Sequence, residues 1–179
     1  KMETLPIKPD GKLKCTRTVY ASALIQLILE RRYFGSFFSA LTEIGAIRSL
    51  VGVGISPFGD EWHRAGEAYA DRKQFTADYS KLDLHIGAEL LNVVTDVAIT
   101  WMEKNGATDR HLCAARNVQT LILNHLIKVG AVAFHVQGAV ASGMFATAQI
   151  DAIACILLNA YAVDRVRHSD DDSGVDPER

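Results

Sequence analysis

The 179-residue sequence predicts an all-α protein, a three-helix head followed by a longer C-terminal helical body. Three observations carry this expectation. No run alternates apolar and polar residues with the period of two that a half-buried strand requires. Apolar residues recur instead at i, i+3 and i+4, the spacing of a helix with one buried face. Capping residues and glycines, among them Ser36, Gly45, Thr108 and Gly130, divide the chain at helix-length intervals.

The elements follow in order. A first helix runs from Thr16 to Arg32, with Tyr20, Ala23, Leu24, Leu27 and Ile28 on one face. It stops at Tyr33-Phe34-Gly35-Ser36, and Ser36 caps a second helix from Phe37 to Ile44, which Gly45-Ala46 closes. A third spans Arg48 to Ile55, ahead of Ser56-Pro57. A fourth extends from Phe58 or Asp60 to Ser80, its first turn made acidic by Asp60 and Glu61. Ser80 and Asp83 form a capping box that opens a helix ending at Asn105-Gly106, and Thr108 caps the next, which reaches Gly130. Two helices rich in Ala, Gly and Ser close the fold, "AVAFHVQGAVASGMFATA" and "IDAIACILLNAYAVDRV". The division into domains is therefore 1–57 for an N-terminal arm and head, 58–167 for the body, and 168–179 for an acidic tail of disordered composition.

Charge and cysteine content narrow the function classes. The net charge of −2 conceals a gradient: residues 1–50 hold eight Lys or Arg against four Asp or Glu, and the remainder is acidic. A basic front suits contact with a polyanion, and equally suits a solvated arm. Three widely spaced cysteines, Cys15, Cys113 and Cys155, argue against a disulfide framework and for the cytoplasm. The apolar C-terminal half is interrupted by His135, Gln137, Gln149 and Asp151, so no run reaches the roughly 18–20 apolar residues of a membrane span.

The head has the helix lengths of a helix-turn-helix unit. Its residues also read "YASALIQLI" from Tyr20 to Ile28, "ERRYFGS" from Glu30 to Ser36, "LTEIGAI" from Leu41 to Ile47 and "FGDEWHRAGEAYADR" from Phe58 to Arg72. In these stretches the chain resembles the tetracycline-repressor (TetR) family of transcriptional regulators. It departs from that family in the third helix, "RSLVGVGIS", which is apolar and contains two glycines. The resemblance implies a ligand-responsive repressor that binds double-stranded operator DNA as a homodimer and is released by a small apolar effector.

On that reading Arg48 and Ser49 open the recognition helix, Ser36 holds a phosphate at a helix N-terminus, and Lys12, Lys14 and Arg17 form a basic arm. Each also has a plain structural reading, as a helix cap or a solvated charge. Trp101, Met102, Asn117, His125, Phe134, His135 and Met144 set occasional polar and aromatic groups among apolar helices, the composition of an effector pocket or of ordinary core. The last two helices, with small residues Gly130, Ala133, Gly138, Ala141 and Ser142 on one and Leu157 in the stripe of the other, predict a two-fold four-helix dimer interface.

No cofactor is expected. His63 with Glu67 and His85 with Glu89 share helix faces at i,i+4, a spacing that serves a metal but is common on surfaces. Cys113 and His111 face different ways on a helix, and no phosphate loop follows a strand, so nothing in the pattern makes an enzyme the first reading. The alternative kept beside the repressor is an all-α bundle that binds a small molecule or metal, or acts as an enzyme, without DNA.

Overall fold

The computed structural model describes residues 11, 20–73 and 78–171. In chain order the elements are α1 (Leu24–Ile44), α2 (Ala46–Ser49), α3 (Asp60–Tyr69), α4 (Leu82–His85), α5 (Ala88–Lys104), α6 (Asp109–Leu123), β1 (Asn124–Val129), β2 (Val132–Gln137) and α7 (Thr147–Asp171). The core gathers Phe34, Phe37 and Phe38 from α1 with Leu91, Val94, Ile99 and Met102 of α5. Ala115, Val118 and Ile122 of α6 and Ile150, Ile153 and Ala154 of α7 join it, with Val51, Ile86, Val140 and Met144 from the segments between helices.

The first departure from expectation is α1, one helix of 21 residues where the sequence suggested a break at Tyr33–Ser36. Glycine in a helix interior costs about 1 kcal/mol relative to alanine. Phe34, Phe37 and Phe38 stand at i, i+3 and i+4 and are at most 5% exposed, and burying each phenyl ring contributes roughly 1.5–3 kcal/mol. The packing term exceeds the glycine penalty several times over, and the helix continues. Ser36 is accordingly an exposed mid-helix residue, not a cap. The expected third helix shrinks to α2, where Leu50 turns into the left-handed region at φ +61° and Gly54 follows at +88°. Glu61 of α3 accepts the Ala46 N–H at 2.8 Å, so α3 caps α2 from outside.

The fold is not all-α. Asn124–Gln137 forms an antiparallel hairpin in register His125↔Val136 and Val129↔Val132, joined by Gly130-Ala131. Gly130, at φ +61°, occupies the first position of this two-residue connection, where a left-handed conformation is required. Val129, Val132 and Val136 are β-branched and fit a pleated strand. Nearly all of β2 is exposed, which leaves no alternation for a sequence pattern to display.

The expected helix over residues 131–148 is therefore a strand and a loop, and the Gly130–Ser142 stripe is not a helix face. With one of its two helices gone, the predicted dimer bundle has no structural basis. The Ser80–Asp83 capping box likewise opens no long helix: α4 ends after one turn, and α5 begins at Ala88 behind Gly87. Thr108 does cap α6, accepting the His111 N–H at 3.3 Å.

Candidate active site

The loop that leaves β2 is held on both flanks. On one side it runs beside the segment around α4: Gly138 N–H donates to the Leu123 carbonyl at 2.9 Å, Ala139 N–H to Ile86 at 2.7 Å, and Val140 N–H to Asp83 at 2.7 Å. Gly138 has φ +74° and lies so close to α5 that a Cβ there would stand 2.5 Å from the Ala88 nitrogen. On the other side Ser142 Oγ accepts the Tyr20 N–H at 3.0 Å. A Cβ on Gly143 would overlap the Tyr20 carbonyl oxygen, so this second close approach also depends on glycine.

Buried polar groups hold the two ends of the same loop. His125, 8% exposed, donates from Nε2 to the Ala139 carbonyl at 3.1 Å. Glu30 of α1, 1% exposed, accepts the Phe145 N–H at 2.9 Å on Oε2 and the Gln26 amide at 2.7 Å on Oε1. Burial pushes the Glu30 carboxyl above its ordinary value, while the Phe145 and Gln26 donors and the charge of His125 act the other way. Thr147 Oγ1 donates to the carbonyls of Ala141 and Met144 at 3.1 and 3.0 Å, closing the turn from which α7 starts.

One turn into α7 stands Asp151. Its Oδ1 is buried and makes no hydrogen bond. Burial, and second the nearby charge of Asp83, raise its pKa from 3.8 to about 6. Asp83 approaches from α4, with Oδ1 accepting the Leu84 N–H at 3.0 Å. Two turns beyond Asp151, Asn159 Oδ1 accepts the Tyr79 hydroxyl at 2.9 Å. One face of α7 therefore runs along the segment Tyr79–Asp83, and Asp78 stands exposed at the head of that segment. Two neighbouring carboxylates, one carrying an unpaired oxygen, are suited to a hydroxyl donor or a hard cation. Among the described residues no group of three or more His, Cys, Asp or Glu is placed to hold a metal ion.

The residues singled out from sequence scatter. Lys12, Lys14 and Arg17 lie outside the described residues. Ser36 lines an open groove of about 520 Å³ with Arg31, Thr42 and Phe145, and Trp101 lines a separate one on α5. Arg48 is exposed on α2, while Ser49 Oγ donates to the Gly45 carbonyl at 2.9 Å. Met102 and Met144 are core, and Asn117, Phe134 and His135 are exposed. His63 and Glu67 pair at 3.3 Å on the open surface of α3. His85 Nδ1 lies 2.8 Å from the Lys81 carbonyl, away from any metal set.

Sequence reading missed Glu30, Asp83, Ser142, Gly143 and Asp151 as site residues. The available signal was an acid inside each of two apolar helical stripes, Glu30 and Asp151, where a charge is costly unless it has work to do.

Residues 12–174 match the family model of the viral RNA-dependent RNA polymerase. No curated protein and no solved structure matches the chain. The match corrects the resemblance to TetR regulators. A polymerase family works on RNA templates and nucleotides, so the repressor function, the operator DNA, the apolar effector and the helix-turn-helix assignment fall with it. The family is one of enzymes, a class the sequence reading kept only in its alternative. Among the described residues no helix is long and apolar enough to cross a membrane.

Proposed function

The chain belongs to the viral RNA-dependent RNA polymerase family, and from that premise we propose that it binds ribonucleoside triphosphates for RNA-templated joining, with Asp83 and Asp151 reading the sugar. The observation that carries this reading is the buried, unpartnered Oδ1 of Asp151 beside Asp83. A ribose differs from a deoxyribose by the 2′-hydroxyl, which can donate a hydrogen bond. A site with an acceptor waiting for that hydroxyl leaves the acceptor unpaired when the deoxy analogue enters, and discriminates on that ground.

The exposed Asp78 offers the hard oxygen donors that Mg²⁺ takes, and one or two carboxylates suffice when substrate phosphates complete the shell. The cation, when bound, neutralises charge on the transferring phosphoryl group. Lys12, Lys14 and Arg17 precede Tyr20 closely in sequence, and are assigned to the phosphates of nucleotide or template. The exposed Cys113 and the half-buried Cys155, both free thiols, support a place in the cytoplasm.

The test is nucleotide incorporation by the intact protein on an RNA template. Wild type should prefer ribonucleotides, and Asp151→Ala should lower the ribo-to-deoxy preference by roughly tenfold or more, one lost hydrogen bond to a charged group being of that size. An unchanged preference in an active Asp151→Ala protein would overturn the assignment of the sugar to this residue.

A further inference from the structure

We propose that Glu30 is a positioning residue: its carboxylate on α1 latches the loop 141–147 through the Phe145 N–H and so sets where Asp151 stands against Asp83. The latch rests on the sugar-reading role of Asp151 for its functional consequence and on its own geometry for its existence.

Among the described residues Glu30 is the one carboxylate buried to 1% exposure. An ion in a core is costly, and an apolar residue of similar volume is often as stable or more so. Stability alone therefore gives no reason for a glutamate here. Both of its oxygens are used, one by Gln26 four residues away on its own helix and one by Phe145, 115 residues on in the chain.

The loop it grips is strained. Ala139 and Ala146 have φ of +60° and +61°, a region that an L side chain occupies at a cost of about 1–3 kcal/mol. Such residues persist only where their surroundings over-determine them. His125 holds Ala139, and Glu30 holds the residue next to Ala146. Ala146 also accepts the Ile150 N–H at 2.9 Å, which makes it the first acceptor of α7, and Asp151 follows directly. A released Phe145 would let the start of α7 shift, and Asp151 with it.

Two readouts test this in the intact protein. The first is hydrogen exchange at the Phe145 amide. Glu30→Leu, which keeps volume but removes both acceptors, should speed it roughly tenfold, the loss of one charge-assisted bond. Glu30→Gln, which keeps an acceptor oxygen, should retain most of the protection. The second is the ribo-to-deoxy preference, which Glu30→Leu should lower and Glu30→Gln should restore, with melting temperature recorded for each.

Unchanged exchange in Glu30→Leu overturns the latch, and so does lowered activity with an unchanged sugar preference in Glu30→Leu where Asp151→Ala does lower that preference. Should Glu30→Leu fail to fold, wild-type exchange at Phe145 decides: a rate as fast as an unbonded amide overturns it, and clear protection together with a normal sugar preference in Glu30→Gln supports it. An Asp151→Ala protein with unchanged sugar preference defeats the sugar reading alone, and the exchange measurement still decides the latch.

Discussion

At Asp151 the environment works against ionisation, and this sets a sign. Its pKa rises from 3.8 to about 6, through burial first and the charge of Asp83 second. Between those values the folded protein retains a proton that the unfolded chain has released, so stability falls as pH rises through the window from about 4 to 6. The contribution is fully present below the unfolded value and lost above the folded one. Asp151→Asn should remove this component: the difference in melting temperature between wild type and variant should change across pH 4 to 6 in favour of the variant as pH rises. A difference that stays flat over the window would contradict a raised Asp151. From the sequence the residue registered only as an interruption in an apolar run. What it faces depends on Asp83, 68 positions earlier, and no local pattern reports a pairing at that distance. Met102 and Met144, which composition left open between a pocket and ordinary core, lie in the buried core.

At the scale of elements, helices with a strong buried face were readable and irregular joins were not. The C-terminal end of α5 and the Thr108 cap of α6 were legible because spacing and capping are local. By contrast, α5 starts at Ala88 instead of at the Ser80–Asp83 box, and α6 stops at Leu123, where β1 replaces the helix expected as far as Gly130. α1 was misread at Gly35, where propensity indicated a break and tertiary burial prevailed. That account makes a sharp prediction. A Cβ at Gly35 would meet Arg31 Cγ at 3.7 Å and Phe145 Cζ at 4.0 Å, both ordinary contacts. Gly35→Ala should therefore stabilise the protein by about 0.5–1 kcal/mol in denaturant melts. A destabilisation of the same size would mean that the helix needs glycine there, as a break would. The hairpin was missed for a different reason: β2 is nearly all exposed, so its residues do not alternate in burial, and the Gly130-Ala131 connection resembled a helix end.

At the scale of the whole molecule, the apolar faces of α1, α5, α6 and α7 meet in one core, and the loop between β2 and α7 crosses its edge pinned from Tyr20, Glu30, Ile86 and Asp83. That arrangement brings an acid from α4 and an acid from α7 together, and we propose that the pair reads the sugar of a ribonucleotide. The resemblance to a DNA-binding head rested on short stretches between Tyr20 and Arg72, whose helices are α1, α2 and α3, bounded differently from those expected there. Arg48 consequently sits in a four-residue helix, not at the start of a recognition helix.

The most direct test of the central claim is a paired titration of the protein with ATP and dATP in the presence of Mg²⁺, followed by NMR with the Asp carboxyl carbons labelled. The account predicts that ATP binds more tightly than dATP and shifts the Asp83 and Asp151 signals, and that dATP leaves Asp151 nearly unmoved. Equal affinity for the two nucleotides with no shift at either aspartate would contradict it.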